Sequence, residues 1–196
     1  LVFPFVVGRG VAAELKNLAP TAKVWASSEY DAGFAARFAV DGKVPEAETK
    51  ENDAGQAWCI HRAKAGDQGE FMFQWASPVT VAELVYFGRT SQVLSECWKD
   101  YEVYLDGDAG PAAKGTFQMI HGPQRVPFAP RTVQKLRLKF LGSYGPHNPG
   151  ASEIAVYASS PSEAQLAKFL DEAPAASPLQ QKLLASELGF RDVLVI

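Results

Sequence analysis

The sequence predicts an all-β fold: an antiparallel β-sandwich with a short helical appendage at its C-terminal end. Three observations predict it. Apolar residues alternate with polar ones over several short runs, the period of a strand with one buried face. Gly- and Pro-containing turns punctuate those runs. Helix start and stop signals gather only after Ala158.

The elements follow in chain order. Residues 1–16 read as a lead-in strand and turn. Within them Gly8-Arg9-Gly10-Val11-Ala12-Ala13 fits the glycine pattern of a dinucleotide fold, with Asp31 about twenty residues on. Pro4 interrupts the strand before it and no βαβ repeat follows, so a lead-in turn is the preferred reading. Residues 17–158 read as the sandwich. Phe71, Phe73 and Trp75 alternate with Glu70, Met72 and Gln74. Tyr101, Val103 and Leu105 alternate with Glu102, Tyr104 and Asp106, and Leu136, Leu138 and Phe140 with Lys135, Arg137 and Lys139. The run Val79 to Phe87 is apolar on both faces, as in a strand covered on both sides. Asp106-Gly107 and Gly122-Pro123 are turns.

Residues 159–196 read as two short helices and a terminal strand. Ser160-Pro161-Ser162-Glu163 offers a cap, a first-turn proline and a capping-box glutamate, with Leu166, Phe169 and Leu170 as the apolar stripe. Ser177-Pro178 repeats the start signal ahead of Leu179, Leu183, Leu184 and Leu188, and Gly189 is the stop. The terminal Val193-Leu194-Val195-Ile196 asks for a neighbouring domain of a larger parent protein.

Composition excludes several function classes. An apolar fraction of 47% supports a packed core. A net charge of −3 gives no pull toward nucleic acid. No run of 18 apolar residues crosses a bilayer, and a membrane-surface role would have only Val93, Leu94 and Trp98 to insert. No nucleophile elbow, His-Glu-x-x-His or phosphate loop supports an enzyme. His61, His121 and His147 with two cysteines lack zinc spacing. Cys59 and Cys97 are either two buried thiols or one disulfide; both alternatives stand at this stage.

Two distant segments carry a resemblance: Phe38-Ala39-Val40-Asp41-Gly42 with Trp58 downstream, and Ala151-Ser152-Glu153-Ile154-Ala155-Val156-Tyr157. Between them come Asn17-Leu18-Ala19, Val24 to Ser28, Gly69-Glu70-Phe71, Lys99 to Tyr104 and Val133 to Leu138. Their order resembles the discoidin, or coagulation-factor type C, family and its galactose-binding-domain-like relatives among bacterial carbohydrate-binding modules. The resemblance implies a discoidin-like jelly roll. It also implies a structural Ca2+ held by Asp41 and Glu153, with Asn52 and Asp53 of a longer inserted loop as further candidates. It implies a non-catalytic, extracellular or periplasmic module for carbohydrate or glycan; the alternative is a structural, protein-contact domain of the same fold. The sugar-site candidates are His61, Arg62, Arg89, Trp98, Tyr144, His147 and Asn148. Arginine, histidine and asparagine bond ring hydroxyls, and an aromatic ring covers the apolar face of a pyranose. Tyr144, His147 and Asn148 lie in the Gly/Pro-rich loop Gly142 to Gly150, the kind of segment that carries function.

Overall fold

Inward-facing Phe71, Phe73, Val103, Leu136 and Leu138 are fully buried, while the residues between them face outward. The alternation thus builds the sandwich that the sequence predicts. The computed structural model describes residues 15–48 and 53–171. The lead-in glycine motif, Asn52, the second helix and the terminal strand lie outside the described residues.

Among the described residues eight strands appear in order: β1 (Lys23–Ala26), β2 (Trp58–Cys59), β3 (Gly69–Phe87), β4 (Asp100–Leu105), β5 (Ala113–Thr116), β6 (Pro123–Phe140), β7 (Gly150–Ala151) and β8 (Glu153–Tyr157). The main sheet runs β1-β3-β6-β4-β5, with β8 also on β3, and every pairing between strands is antiparallel. β2 pairs with β7 in a small second ladder.

The two strands expected over Glu70 to Trp75 and Val79 to Phe87 are one 19-residue strand. It bends where its register on β6 shifts, between Gln74 and Val79 and again between Val81 and Glu83. The second shift flips the phase. Phe71, Phe73, Trp75 and Val81 face the main core, and beyond the shift Leu84 and Tyr86 take over that face. Between Val81 and Glu83 the ladder advances two residues on β3 against four on β6, and such an irregularity resets which face the following residues take. Pro78, which has no N–H to donate, sits in the unpaired stretch at the bend. The first half of β3 therefore pairs with β1, and the second half with β8. The two halves close over one core.

That core centres on aromatic rings. Trp98 stacks on Phe140 at 4.5 Å, and Trp58 meets Phe71 edge-on at 5.0 Å. Trp58 Nε1 donates to Ser28 O at 2.9 Å, which meets the polar end of a buried indole.

The run Val81 to Phe87, apolar apart from Glu83, has its second face covered by a helix. Val85, Phe87, Ala155 and Tyr157 form a smaller cluster with Leu166, against which Phe169 packs. Leu166 and Phe169 belong to α2 (Glu163–Asp171); a one-turn α1 (Arg62–Ala65) lies earlier. Burying Leu166 stabilises this contact by roughly 2 kcal/mol. The helix starts later than predicted. Ser162, not Ser160, is the cap: Gln165 N–H donates to Ser162 Oγ at 3.2 Å, and Ser162 N–H donates to Gln165 Oε1 at 3.0 Å. The capping box uses Gln165 rather than Glu163. Glu163 instead pairs with Arg125, which also holds the buried Glu83.

Candidate functional site

The chain reverses twice at one end of the sandwich, in α1 with the turn after it and in the loop before β7. Gly150 makes the second reversal possible. A Cβ there would overlap Trp58 O and lie 2.8 Å from Cys59 Cα, so only glycine lets β7 lie on β2. The loop is tied to α1 by hydrogen bonds. Arg62 N–H donates to Asn148 Oδ1 at 3.1 Å, and the Arg62 guanidinium donates to Ser143 Oγ at 2.9 Å and Gly145 O at 2.5 Å. Asp67 faces the same guanidinium at 3.8 Å.

These ties leave a shallow groove of about 480 Å³ between the two reversals, lined among others by Arg62, Gly66, Asp67, His147 and Asn148. His147 and Asp67 are exposed at its rim. The groove offers donors from Arg62, His147 and Asn148 and an acceptor from Asp67. Such a set can bond the hydroxyls of a small polar ligand. Three of the seven predicted sugar-site residues, Arg62, His147 and Asn148, therefore come together. Asp67 was not anticipated; its signal was the Gly66-Asp67-Gln68-Gly69 segment, which begins four residues after Arg62.

The other four candidates lie elsewhere. Arg89 is 2% exposed. Its Nε and NH2 donate to the Asp53 carboxylate at 2.8 and 2.5 Å, and NH1 donates to Glu96 at 2.8 Å and Asn148 O at 3.2 Å. Burial alone would lower its pKa, but Asp53 and Glu96 raise it. A guanidinium so engaged has no face left for a sugar, and it occupies both oxygens of Asp53. Trp98 is fully buried on Phe140 and is a core residue. Tyr144 is partly exposed, yet its hydroxyl donates to Phe117 O at 2.6 Å, and it does not line the groove. His61 leans on the exposed Tyr30 at 5.3 Å with its Nδ1 buried and unpartnered.

Cys59 and Cys97 are buried free thiols, so the disulfide alternative fails. Gly150 lies between them: Cys59 is its partner in β2 and Cys97 bridges to it. Two strand spacings put the cysteine backbones roughly 10 Å apart, beyond bridging reach. Burial pushes the Cys59 thiol up to about 12 and raises Cys97 as well.

Asp41 and Glu153, far apart in sequence, do meet. Glu153 is fully buried; its Oε1 accepts from Asn17 Nδ2 at 3.3 Å and its Oε2 has no partner. Burial, with the Asp41 charge beside it, holds its carboxyl well above the usual range, against the pull of the Gly42 and Asp41 amides. Asp41 is exposed as a residue, yet desolvation of its carboxyl on the Glu153 side raises it too, and it accepts from Lys43 N–H at 3.0 Å. Among the described residues no cation pairs with Glu153 and no three His, Cys, Asp or Glu side chains gather around a point.

Comparison with known proteins completes the description. No protein-family model matches the chain, and no curated protein matches it. Solved structures do. CpGH89CBM32-5 from Clostridium perfringens, in complex with GalNAc-β-1,3-galactose, superposes with a TM-score of 0.59 at 19% identity, over 72% of this chain and 99% of that one. The family 32 module of C. perfringens NanJ, in complex with galactose, gives 0.55 at 17% identity, over 71% and 96%. The lectin domain of lectinolysin, complexed with the Lewis b antigen, gives 0.56 at 18% identity, over 75% and 99%. At these identities the likeness shows the architecture: the chain has the galactose-binding-like, discoidin-like β-sandwich fold.

Proposed function

We propose that this chain is a non-catalytic carbohydrate-binding module of an exported protein, and that it takes a neutral glycan in the groove between α1 and the 142–149 loop. One observation carries the reading. Arg62, Asp67, His147 and Asn148 converge on a single open groove, in a fold whose solved examples include modules bound to galactose and related sugars. Arg62 and Asn148 hold each other in place, so the site is organised before a ligand arrives. A shallow groove buries little ligand surface, so affinity lies on the order of millimolar to micromolar. Titration with galactose- and glucose-type sugars tests this. Saturable binding lost in His147→Ala and Asp67→Ala supports it; binding untouched by both variants, or none to any sugar, hands the fold to the structural-domain alternative.

The same reading includes a structural calcium ion. Calcium takes carboxylate, carbonyl and water oxygens. Glu153 Oε2, buried without a partner next to Asp41, fits that chemistry. Glu153 and Asp41 would hold the ion, which would neutralise a buried negative pair. Its role is stability rather than sugar recognition, since neither residue lines the groove.

A further inference from the structure

The outer face of the β1-β3-β6-β4-β5 sheet has no cover among the described residues, because α2 packs on the other half of β3. A single register line crosses four of its strands: Trp25 opposite Met72, Met72 opposite Arg137, Arg137 opposite Tyr104. Trp25 is 53% exposed, unusual for so large an apolar ring. At the other end the Arg137 guanidinium lies 4.7 Å from the Tyr104 ring centre. Three strand spacings separate the two aromatics, about 14 Å. That spans a short run of sugar rings rather than one.

The charge on this face is opposite to that of the chain. The lines flanking the aromatic one are Lys23–Gln74–Lys135 and Glu70–Lys139–Glu102–Lys114. Over the paired positions of the three lines five cations stand against two carboxylates, on a chain of net charge −3; Asp106, which follows beside Lys135 at the end of β4, accepts with its carboxylate from the Lys135 and Gln134 N–H groups. The carboxylates are already engaged: Glu70 with Arg137 and Lys139 at 3.5 and 3.8 Å, and Glu102 with the Tyr104 hydroxyl at 2.7 Å. Asp100, farther along β4, is occupied by Thr116. Lys23, Lys114 and Lys135 have no ion pair among the described residues.

We infer that this sheet face is a second glycan platform, separate from the loop groove, and that it takes a carboxylated polysaccharide. The exposed Trp25 indole covers the apolar side of a pyranose ring, the half-buried Tyr104 with Arg137 over its ring gives the second contact, and the cations pair with the ring carboxylates. The modest cation excess suits about one carboxylate per ring. The platform stands whether or not the loop groove binds a neutral sugar.

Affinity electrophoresis in polygalacturonate tests it, with methyl-esterified polygalacturonate as the neutral counterpart and dextran sulfate and single-stranded DNA as other polyanions. Polygalacturonate should retard the protein, retardation should weaken with salt, and the esterified chain should not retard it. Trp25→Ala and the double variant Lys23→Ala/Lys135→Ala should each lose at least tenfold in affinity while keeping the parent melting temperature and any neutral-sugar binding. His147→Ala should keep polygalacturonate binding. The inference is overturned by wild-type retardation in both sheet variants, by equal retardation in the esterified chain, or by equal response to DNA or dextran sulfate. Loss in His147→Ala alone would also overturn it, because the acidic chain would then belong to the groove. Failure of the groove reading is seen separately, with neutral sugars.

Discussion

Asp53 and Glu153 are both almost completely buried, yet they live in opposite surroundings. Asp53 receives two hydrogen bonds from a guanidinium that is itself buried. Glu153 has amides from Asn17, Gly42 and Asp41, a second carboxylate nearby and, among the described residues, no cation. Glu83, the third buried carboxylate among the described residues, also has its arginine, Arg125. The difference teaches how to divide the ionisable residues of this fold. A buried charge whose partners are all present is scaffold. A buried charge that lacks a partner marks where something from solution belongs.

The largest expected effect breaks the Asp53 side of this comparison. Arg89→Ala would leave Asp53 buried and unpaired, and removing one member of a buried pair costs about 3–5 kcal/mol. Arg89→Lys should recover only part, because an ammonium cannot reproduce the two-pronged contact. Urea denaturation reads both. If Arg89→Ala stays within about 1 kcal/mol of the parent but abolishes sugar binding, Arg89 is a ligand residue and the division is wrong.

The Glu153 side is tested by adding a cation. Calcium that binds only the folded state at a hundred times its Kd should stabilise by about 2.7 kcal/mol. Chelator should remove that gain. Asp41→Ala should abolish the calcium increment while changing the calcium-free melting temperature little, since Asp41 is largely exposed. A melting curve indifferent to both calcium and chelator would sink the site.

How much of this was legible in the sequence follows from the range of each signal. Alternation is local, so Phe71, Phe73, Val103 and Leu138 could be placed inside directly. The phase flip after Val81 was not legible: a bulge depends on the partner strand, here β6, some fifty residues away. Ser160-Pro161 and Ser162 both look like caps, and only packing of Leu166 and Phe169 on β3 and β8 selects the later start. His147 and Asn148 were singled out because the Gly/Pro-rich 142–150 loop announces itself, whereas Arg62, which lies on α1, carried no such signal. Arg89 was misplaced because its partner Asp53 is 36 residues away in an inserted loop without a motif. Trp98 failed likewise: an aromatic beside a loop looks the same in sequence whether it stacks on a ligand or on Phe140.

The two cysteines sharpen the scaffold side at intermediate magnitude. The folded Cys59 thiol sits near 12 and an unfolded one near 9.0. Below the unfolded value both states keep the proton and the group's contribution is fully present. Above it the unfolded chain ionises first, so stability falls by about 1.4 kcal/mol per pH unit for this thiol until its folded pKa is reached. Denaturation at pH 8.5 and 10 should show a shallower loss in Cys59→Ala than in the parent. Neither thiol should react with iodoacetamide at pH 8 until the protein is unfolded; prompt modification of native protein would contradict the burial of both.

The smallest effect on stability should accompany the largest effect on recognition. His147 is exposed at the groove rim, packs against nothing in the core and carries none of the ties that hold the 142–149 loop. Surface substitutions away from caps, cores and networks usually stay within about 0.5 kcal/mol. His147→Ala should therefore melt with the parent while neutral-sugar titration loses tenfold or more. Arg62→Ala should do otherwise: it severs two contacts to Ser143 and Gly145, so loop order and sugar binding should fall together. Separable effects at His147 and coupled effects at Arg62 would place recognition on exposed donors held by a tethered loop. A His147→Ala protein that unfolds early, or that binds sugar as the parent does, would move recognition off this groove.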